Sequence, residues 1–204
     1  MKRLSLALAL PLLLASTPFA HAEIQKNVPQ TWPGKIMIGV RPLGAQLSFT
    51  DTGFGGTGVF GGFGGRILYK LGLDVAGIVL NADKITLWFG GELNVGGRGN
   101  LAMIEPGLFV AVSLEKLLKM PLVPIVRAGI SGPLYIPYGY NGSVLFGAFQ
   151  IKFGGGAYYF LTKNIGVGLD INVGMGPGIV KVNTALDTGF SGYAEFLAGA
   201  RFAL

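Results

Sequence analysis

Nine charged residues recur on sequence faces that otherwise hold glycine or small polar groups: Arg66, Lys70, Glu92, Glu105, Arg127, Lys152, Asp170, Glu195 and Arg201. A carboxylate pair such as Glu92 and Glu105 has the atoms for general acid–base work. Five cations on the same faces make ion pairing the simpler reading, since structural ion pairs often mimic catalytic sites. Other chemistries lack their materials. The one histidine is His21, near the N-terminus, and the chain has no cysteine. A serine nucleophile would therefore lack its imidazole base, and zinc-type sites would lack thiolate and imidazole donors. The glycine-rich run 51–58 could cradle a phosphate. However, neither a strand–glycine–helix context nor a Lys-Ser/Thr pair completes a P-loop. No catalytic residue, metal or cofactor is expected, and the chain does not read as an enzyme.

The elements that would position these charges are strands. In Leu145–Met175 the odd positions Leu145, Phe149, Ile151, Phe153, Tyr159 and Leu161, then Ile165 to Met175, are apolar. The even positions are Gln150, Lys152, Asp170, Asn172 and several glycines. Period two over two long arms predicts a hairpin turning at Thr162–Asn164, with Leu161 facing Ile165 and Asn164 suited to a left-handed conformation. That register sets Asp170 against Gly156 and Lys152 against Gly174, each charge facing a glycine that makes room for it.

The same alternation predicts further strands over about 34–49, 59–70, 85–95, 101–114, 122–131 and 189–204. Pro42 predicts an edge, bulge or end in the first of these. Residues 71–84 fit either an extended strand or a turn with a short helix, and Leu114–Lys119 suits one helical turn. Residues 96–100, 133–142 and 176–188 read as loops or turns. The odd-numbered connections are thus the more open set and the even-numbered ones the tighter. Tyr135, Tyr138 and Tyr140 fall in a loop, where they could present to a partner or, as the preferred reading, anchor in lipid headgroups.

Half of the 204 residues are hydrophobic, 13% are charged and 35 are glycine. Mean hydropathy is +0.55. No apolar run reaches the ~20 residues of a membrane helix. Lys2 and Arg3 precede an apolar Leu4–Ala15, and Ala20-His21-Ala22 is a small-x-small site. Residues 1–22 therefore read as a cleaved secretory signal peptide, and 23–204 as one domain carrying 14 basic and 10 acidic residues, net +4. The basic residues are scattered, so nucleic-acid binding is not expected. Eight strands, low charge and export together predict an all-β, eight-stranded antiparallel up-and-down transmembrane β-barrel in the bacterial outer membrane. Its apolar faces would meet lipid, and its charges would fill an interior just wide enough for side chains. A soluble exported barrel is the lesser alternative.

The C-terminus, Gly199-Ala-Arg-Phe202-Ala-Leu204, resembles the assembly signal that ends many bacterial outer-membrane barrels, except that leucine stands last where phenylalanine is commonest. With the whole mature chain, and with Val123–Gly129 and Gly154–Val167, it is similar to the small OmpA/OmpX/OmpW-like outer-membrane β-barrel proteins. The resemblance implies recognition of the last strand by the barrel-assembly machinery through Gly199, Phe202 and Leu204. Either of two roles follows. One is a plugged barrel with a structural or interaction role in the envelope, a monomer in outer-membrane lipid. The other is a porin-like barrel that passes or binds a small solute or lipid-like compound.

Overall fold

The computed structural model describes residues 34–51, 66–99, 101–114, 122–137, 144–162 and 164–204. The leader and its cleavage site, most of the glycine-rich run, the helical turn expected near Leu114–Lys119, Tyr138 and Tyr140 lie outside the described residues.

Ten strands follow in order: β1 Ile36–Asp51, β2 Arg66–Asn81, β3 Thr86–Arg98, β4 Leu101–Ser113, β5 Leu122–Ser131, β6 Leu134–Pro137, β7 Val144–Ala148, β8 Gln150–Phe160, β9 Ile165–Val182 and β10 Ala185–Ala203. All pairings are antiparallel. They form a closed ring, β1-β2-β3-β4-β5-β8-β9-β10, with β10 returning to β1. The two short strands do not add to the ring. β4 pairs Gly107 with Ser131 of β5 and Ile104 with Leu134 of β6 in one unbroken register. β9 likewise pairs with β7 and β8 in one register. Each pair is thus one strand of the eight, interrupted at Gly132–Pro133 and at Phe149. The interruptions coincide with Pro106, Pro133 and Pro177 at one level of the wall, where prolines cannot donate to the ladder. Gly132 N–H donates to Pro106 O (2.9 Å), Ala148 N–H to Pro133 O (3.0 Å) and Phe149 N–H to Pro177 O (3.0 Å), which carries the ring across the gap.

The hairpin register is as the alternation predicted: Lys152 pairs with Gly174, Gly156 with Asp170, and Leu161 N–H donates to Ile165 O (2.9 Å). The Thr162 hydroxyl caps the turn, accepting from Asn164 N–H (3.2 Å) and Ile165 N–H (3.1 Å). Of the two readings open for residues 71–84, the extended strand holds for 71–81, because the ladder of β2 to β3 runs on to Asn81–Thr86. Three expectations need correction. The predicted loop 176–188 is instead the far end of β9 and β10, still paired at Val182–Ala185 around a two-residue turn. There Asn183 takes a left-handed φ of 54°, which Asn tolerates better than most residues. Part of the predicted 133–142 loop is β6. Tight turns also join β3 to β4 and β9 to β10, so the odd-numbered connections are not uniformly the open ones.

Pro42 marks a bulge, not an edge: the pairing of β1 shifts register between Val40 and Leu43 on one side and between Arg41 and Ala45 on the other. The inward set changes parity across it, from Met37, Gly39 and Arg41 to Gln46 and Ser48. Apart from a second register shift between Ile78 and Leu80 of β2, alternation holds along most of the ring, and its sense is inverted relative to a water-soluble barrel. Leu71, Leu73, Phe89, Phe153, Ile171 and Phe196 are among the many large apolar side chains left exposed outside. The inside holds the charges.

Candidate functional site

The interior is layered along the barrel axis. One end holds an apolar cluster that includes Met37, Trp88, Ile125 and Phe160. The other holds Leu68, Leu101, Met103, Tyr135, Phe146 and Val180. Between them, among the described residues, lie five cations, Arg41, Lys70, Arg127, Lys152 and Arg201, and five anions, Asp74, Glu92, Glu105, Asp170 and Glu195, none more than 6% exposed. Desolvated charges of this kind persist only when paired, and among these ten the two signs balance.

The pairing has two halves. In the arginine half, Asp170 meets Arg41 (3.3 Å), Arg201 (3.2 Å) and Arg127 (3.9 Å), and accepts a hydrogen bond from the Tyr158 hydroxyl (2.7 Å). Asp74 lies 3.1 Å from Arg41, 3.7 Å from Arg127 and 3.8 Å from Arg201. Arg127 stacks over the Phe109 ring at 3.9 Å and Arg201 over Tyr158 at 4.4 Å, contacts that suit a planar guanidinium. In the lysine half, Lys70 bridges Glu105 and Glu195. Lys152 reaches Glu195 at 2.7 Å and Glu105 at 3.5 Å. Tyr193 donates to Glu105 (2.7 Å), Asn172 to Glu195 (2.8 Å), and Lys70 to Gln46 Oε1 (2.8 Å).

Glu92 joins the halves. Its Oε1 accepts from Lys152 at 2.9 Å, while Oε2 faces Arg127 at 3.1 Å and Arg41 at 3.5 Å. Among the described residues no other ion pair crosses between the two groups of charges. With Glu92 assigned to the arginine half, each half is neutral: three cations against three anions, and two against two. Glu92 and Glu105 do not stand as a free carboxylate pair, because Lys152 lies between them.

Of the nine charges anticipated, eight meet in this network: Lys70, Glu92, Glu105, Arg127, Lys152, Asp170, Glu195 and Arg201. Arg66 begins β2, and its side chain lies outside the described set. Two members were missed. Asp74 continues the inward face of β2 two steps beyond Lys70 through Gly72, a signal available once the strand is extended. Arg41 shared a face with Met37 in the alternation of β1, and the bulge hid its link to the other charges. Glycines make room, though not always for the charge opposite. A Cβ at Gly156 would overlap the Asp170 carboxylate, but the space over Gly174 belongs to Tyr193, whose ring a Cβ would meet at 2.6 Å. That ring in turn carries Lys70 at 4.8 Å and Lys152 at 5.8 Å. Tyr135 corrects the loop reading: it is buried in the interior, stacks on Phe146 with centroids 5.0 Å apart, and its hydroxyl accepts from Gln46 (2.9 Å). Gly199 lies inward on β10, where a Cβ would overlap Val40 O, whereas Phe202 and Leu204 lie outward at the closing seam. Among the described residues no cluster of His, Cys, Asp or Glu could hold a metal ion.

No protein-family model matches the sequence, and no curated protein does either. Solved structures do. The chain is similar to Neisserial surface protein A, with 15% identity, a TM-score of 0.54, and cover of 83% of this chain and 97% of that one. It is similar also to the outer membrane protein OprG from Pseudomonas aeruginosa, with 10% identity, a TM-score of 0.55, and cover of 85% and 97%. At these identities the likeness concerns architecture. The chain has the fold of the small outer-membrane β-barrel proteins.

Proposed function

We propose that this chain is an outer-membrane β-barrel with a filled, self-neutralised interior and a structural or interaction role in the cell envelope, not a catalytic or conducting one. The observation that carries the reading is the interior itself: among the described residues, five buried cations against five buried anions, flanked on both sides by apolar clusters. A conducting lumen would leave such charges facing water, with one sign in excess to select an ion. The exterior supports the location. A continuous coat of exposed Leu, Ile, Val and Phe is solvated by lipid, and a closed ring leaves no edge unpaired in hydrocarbon. The termini of the described chain meet at the end holding Met37 and Ala203, which we assign to the periplasmic side. Gly199, Phe202 and Leu204 then sit where a barrel-assembly machine would meet the last strand.

Planar-bilayer recording of the refolded chain tests this. The expected result is a barrel that inserts, shifts in gel mobility on heating, and carries no steady current. A steady ohmic conductance in the inserted protein would overturn the filled-barrel reading and favour passage of small solutes.

A further inference from the structure

The apolar coat is not equally tall around the barrel. On β9 the outward positions stay apolar from Ile165 to Ile179, a rise of about 35 Å at ordinary strand tilt. On the opposite wall β3 offers only Leu87 to Val95, about 20 Å, against a usual apolar band of about 25 Å. β2 carries a column of similar height from Ile67 to Leu80, but the one on β9 broadens onto β6, β7 and the start of β10. Its upper rung holds an exposed lysine: Lys181 pairs with Leu145 on one side and Leu186 on the other, both exposed. Beside its lower rung, towards β4 and β5, the outer surface is hollowed. Where β5 gives way to β6, an outward notch of about 280 Å³ lies between Pro106, Leu108, Ile130, Gly132 and Phe149. The notch exists because Gly132 has no side chain; a Cβ there would find its nearest neighbour, Ala148 O, at 3.8 Å. Phe149 pairs onto Pro177 through the backbone, and four residues of β9, about 13 Å, separate Pro177 from Lys181.

We infer that this wall binds one acylated phosphate lipid of the outer leaflet, its phosphate at Lys181 and an acyl chain seated in the notch beside Gly132. Three independent features point to an amphiphile: an apolar column, an open notch beside its foot, and a cation at its head. A protein partner would not require the cation to top a column that merges downward with the lipid-facing coat. The inference rests on the membrane reading above and uses the orientation given there.

The test uses the full chain refolded into phosphatidylcholine vesicles, with Ile136→Trp as an outward-facing reporter beside the column. A minor fraction of chain-brominated phosphatidylglycerol or chain-brominated phosphatidylcholine serves as quencher. The anionic lipid should associate at the reporter about fivefold more strongly, the effect of one basic residue near a membrane surface. Lys181→Gln should bring that ratio to one. Gly132→Leu, whose Cβ has room and whose side chain fills the notch, should weaken quenching by both lipids. Diphosphorylated lipid A, added unbrominated, should relieve the quenching by competition. Equal quenching by the two lipids in the parent, or a ratio that survives Lys181→Gln, overturns the inference. Lack of competition by lipid A overturns its assignment to the outer leaflet. A chain that fails to insert at all overturns the membrane reading itself, and the heat-shift of gel mobility reports that separately.

Discussion

Replacing Glu92 with glutamine keeps the shape of the side chain and removes the one charge that ties the two halves of the interior together. Lys152 then loses its 2.9 Å partner, and Arg127 and Arg41 lose acceptors at 3.1 and 3.5 Å. Glu92 is buried, so water cannot replace what is lost. Lys152 keeps Glu195 and Glu105, and Arg41 keeps Asp74 and Asp170, so no cation is wholly stranded. The interior nevertheless acquires one uncompensated positive charge. Breaking a buried pair by removing one partner costs about 3–5 kcal/mol. The surviving partners and the amide's own hydrogen-bonding capacity place Glu92→Gln near the lower end, about 3 kcal/mol. The assay is reversible urea unfolding in lipid vesicles, followed by gel mobility and by the fluorescence of Trp88, which is buried and donates to Ser113 Oγ at 3.0 Å. Adding Lys152→Gln restores neutrality, so the double variant should lose less than the two single losses combined, with a coupling of about 1–3 kcal/mol. Additive losses, or a Glu92→Gln cost below about 0.5 kcal/mol, would refute the view that charge balance governs this interior.

Gly174→Leu should prevent folding or cost about 3 kcal/mol, because its Cβ would meet the Tyr193 ring at 2.6 Å. Gly91→Ala, outward and with its nearest neighbour at 3.7 Å, should be tolerated, and loss of the heat-shifted gel band in both variants alike would count against the assigned faces. Asn183→Ala should destabilise the β9–β10 turn by about 1 kcal/mol while Asn183→Gly does not, since φ is 54° there; equal urea midpoints for the two variants would contradict this. Arg41→Gln and Asp74→Asn, whose side chains meet at 3.1 Å, should show a favourable coupling of about 1 kcal/mol or more in a double-mutant cycle, and a coupling near zero would place Asp74 outside the network.

Much of this was legible in the residues. Alternation marks the ring strands because the two faces of each meet different surroundings, and the hairpin register followed from parity together with the Thr162–Asn164 turn: both arms send the same parity to the same face, so facing residues sum to an even number, and a turn at Thr162–Asn164 then sets Asp170 opposite Gly156. What stayed hidden has physical causes. Asp74 sits where Val75 to Leu80 are apolar or glycine at every position, so the period fades where β2 nears its turn. Arg41 precedes a bulge that exchanges inner and outer parity, and a period cannot be carried across an exchange it does not show. Tyr135 stands between Pro133 and Pro137, a composition that reads as loop. Its strand forms because β4 and β7 supply partners on both sides. Gly176–Thr188 misled similarly: Pro177 cannot donate, yet its carbonyl accepts from Phe149.

Seven of the ring's eight seams join segments that are neighbours in sequence. The eighth joins the extremes of the described chain: Ile36 N–H donates to Leu204 O at 3.1 Å, and Leu204 N–H to Ile36 O at 2.9 Å. Closing a loop costs entropy that grows with its length, and non-local contacts form late. Until that seam closes, the sheet is an open ribbon with a bare edge on β1 and another on β10, both rich in unpaired amides that hydrocarbon does not tolerate. The inner charges belong to both ends of the ribbon, since Arg41 on β1 and Arg201 on β10 each meet Asp170 on β9. Zipping the seam therefore also brings Arg41 to its second partner across the ring, so the barrel has a natural last step: the moment its circumference becomes continuous is the moment its inner charges complete their pairing.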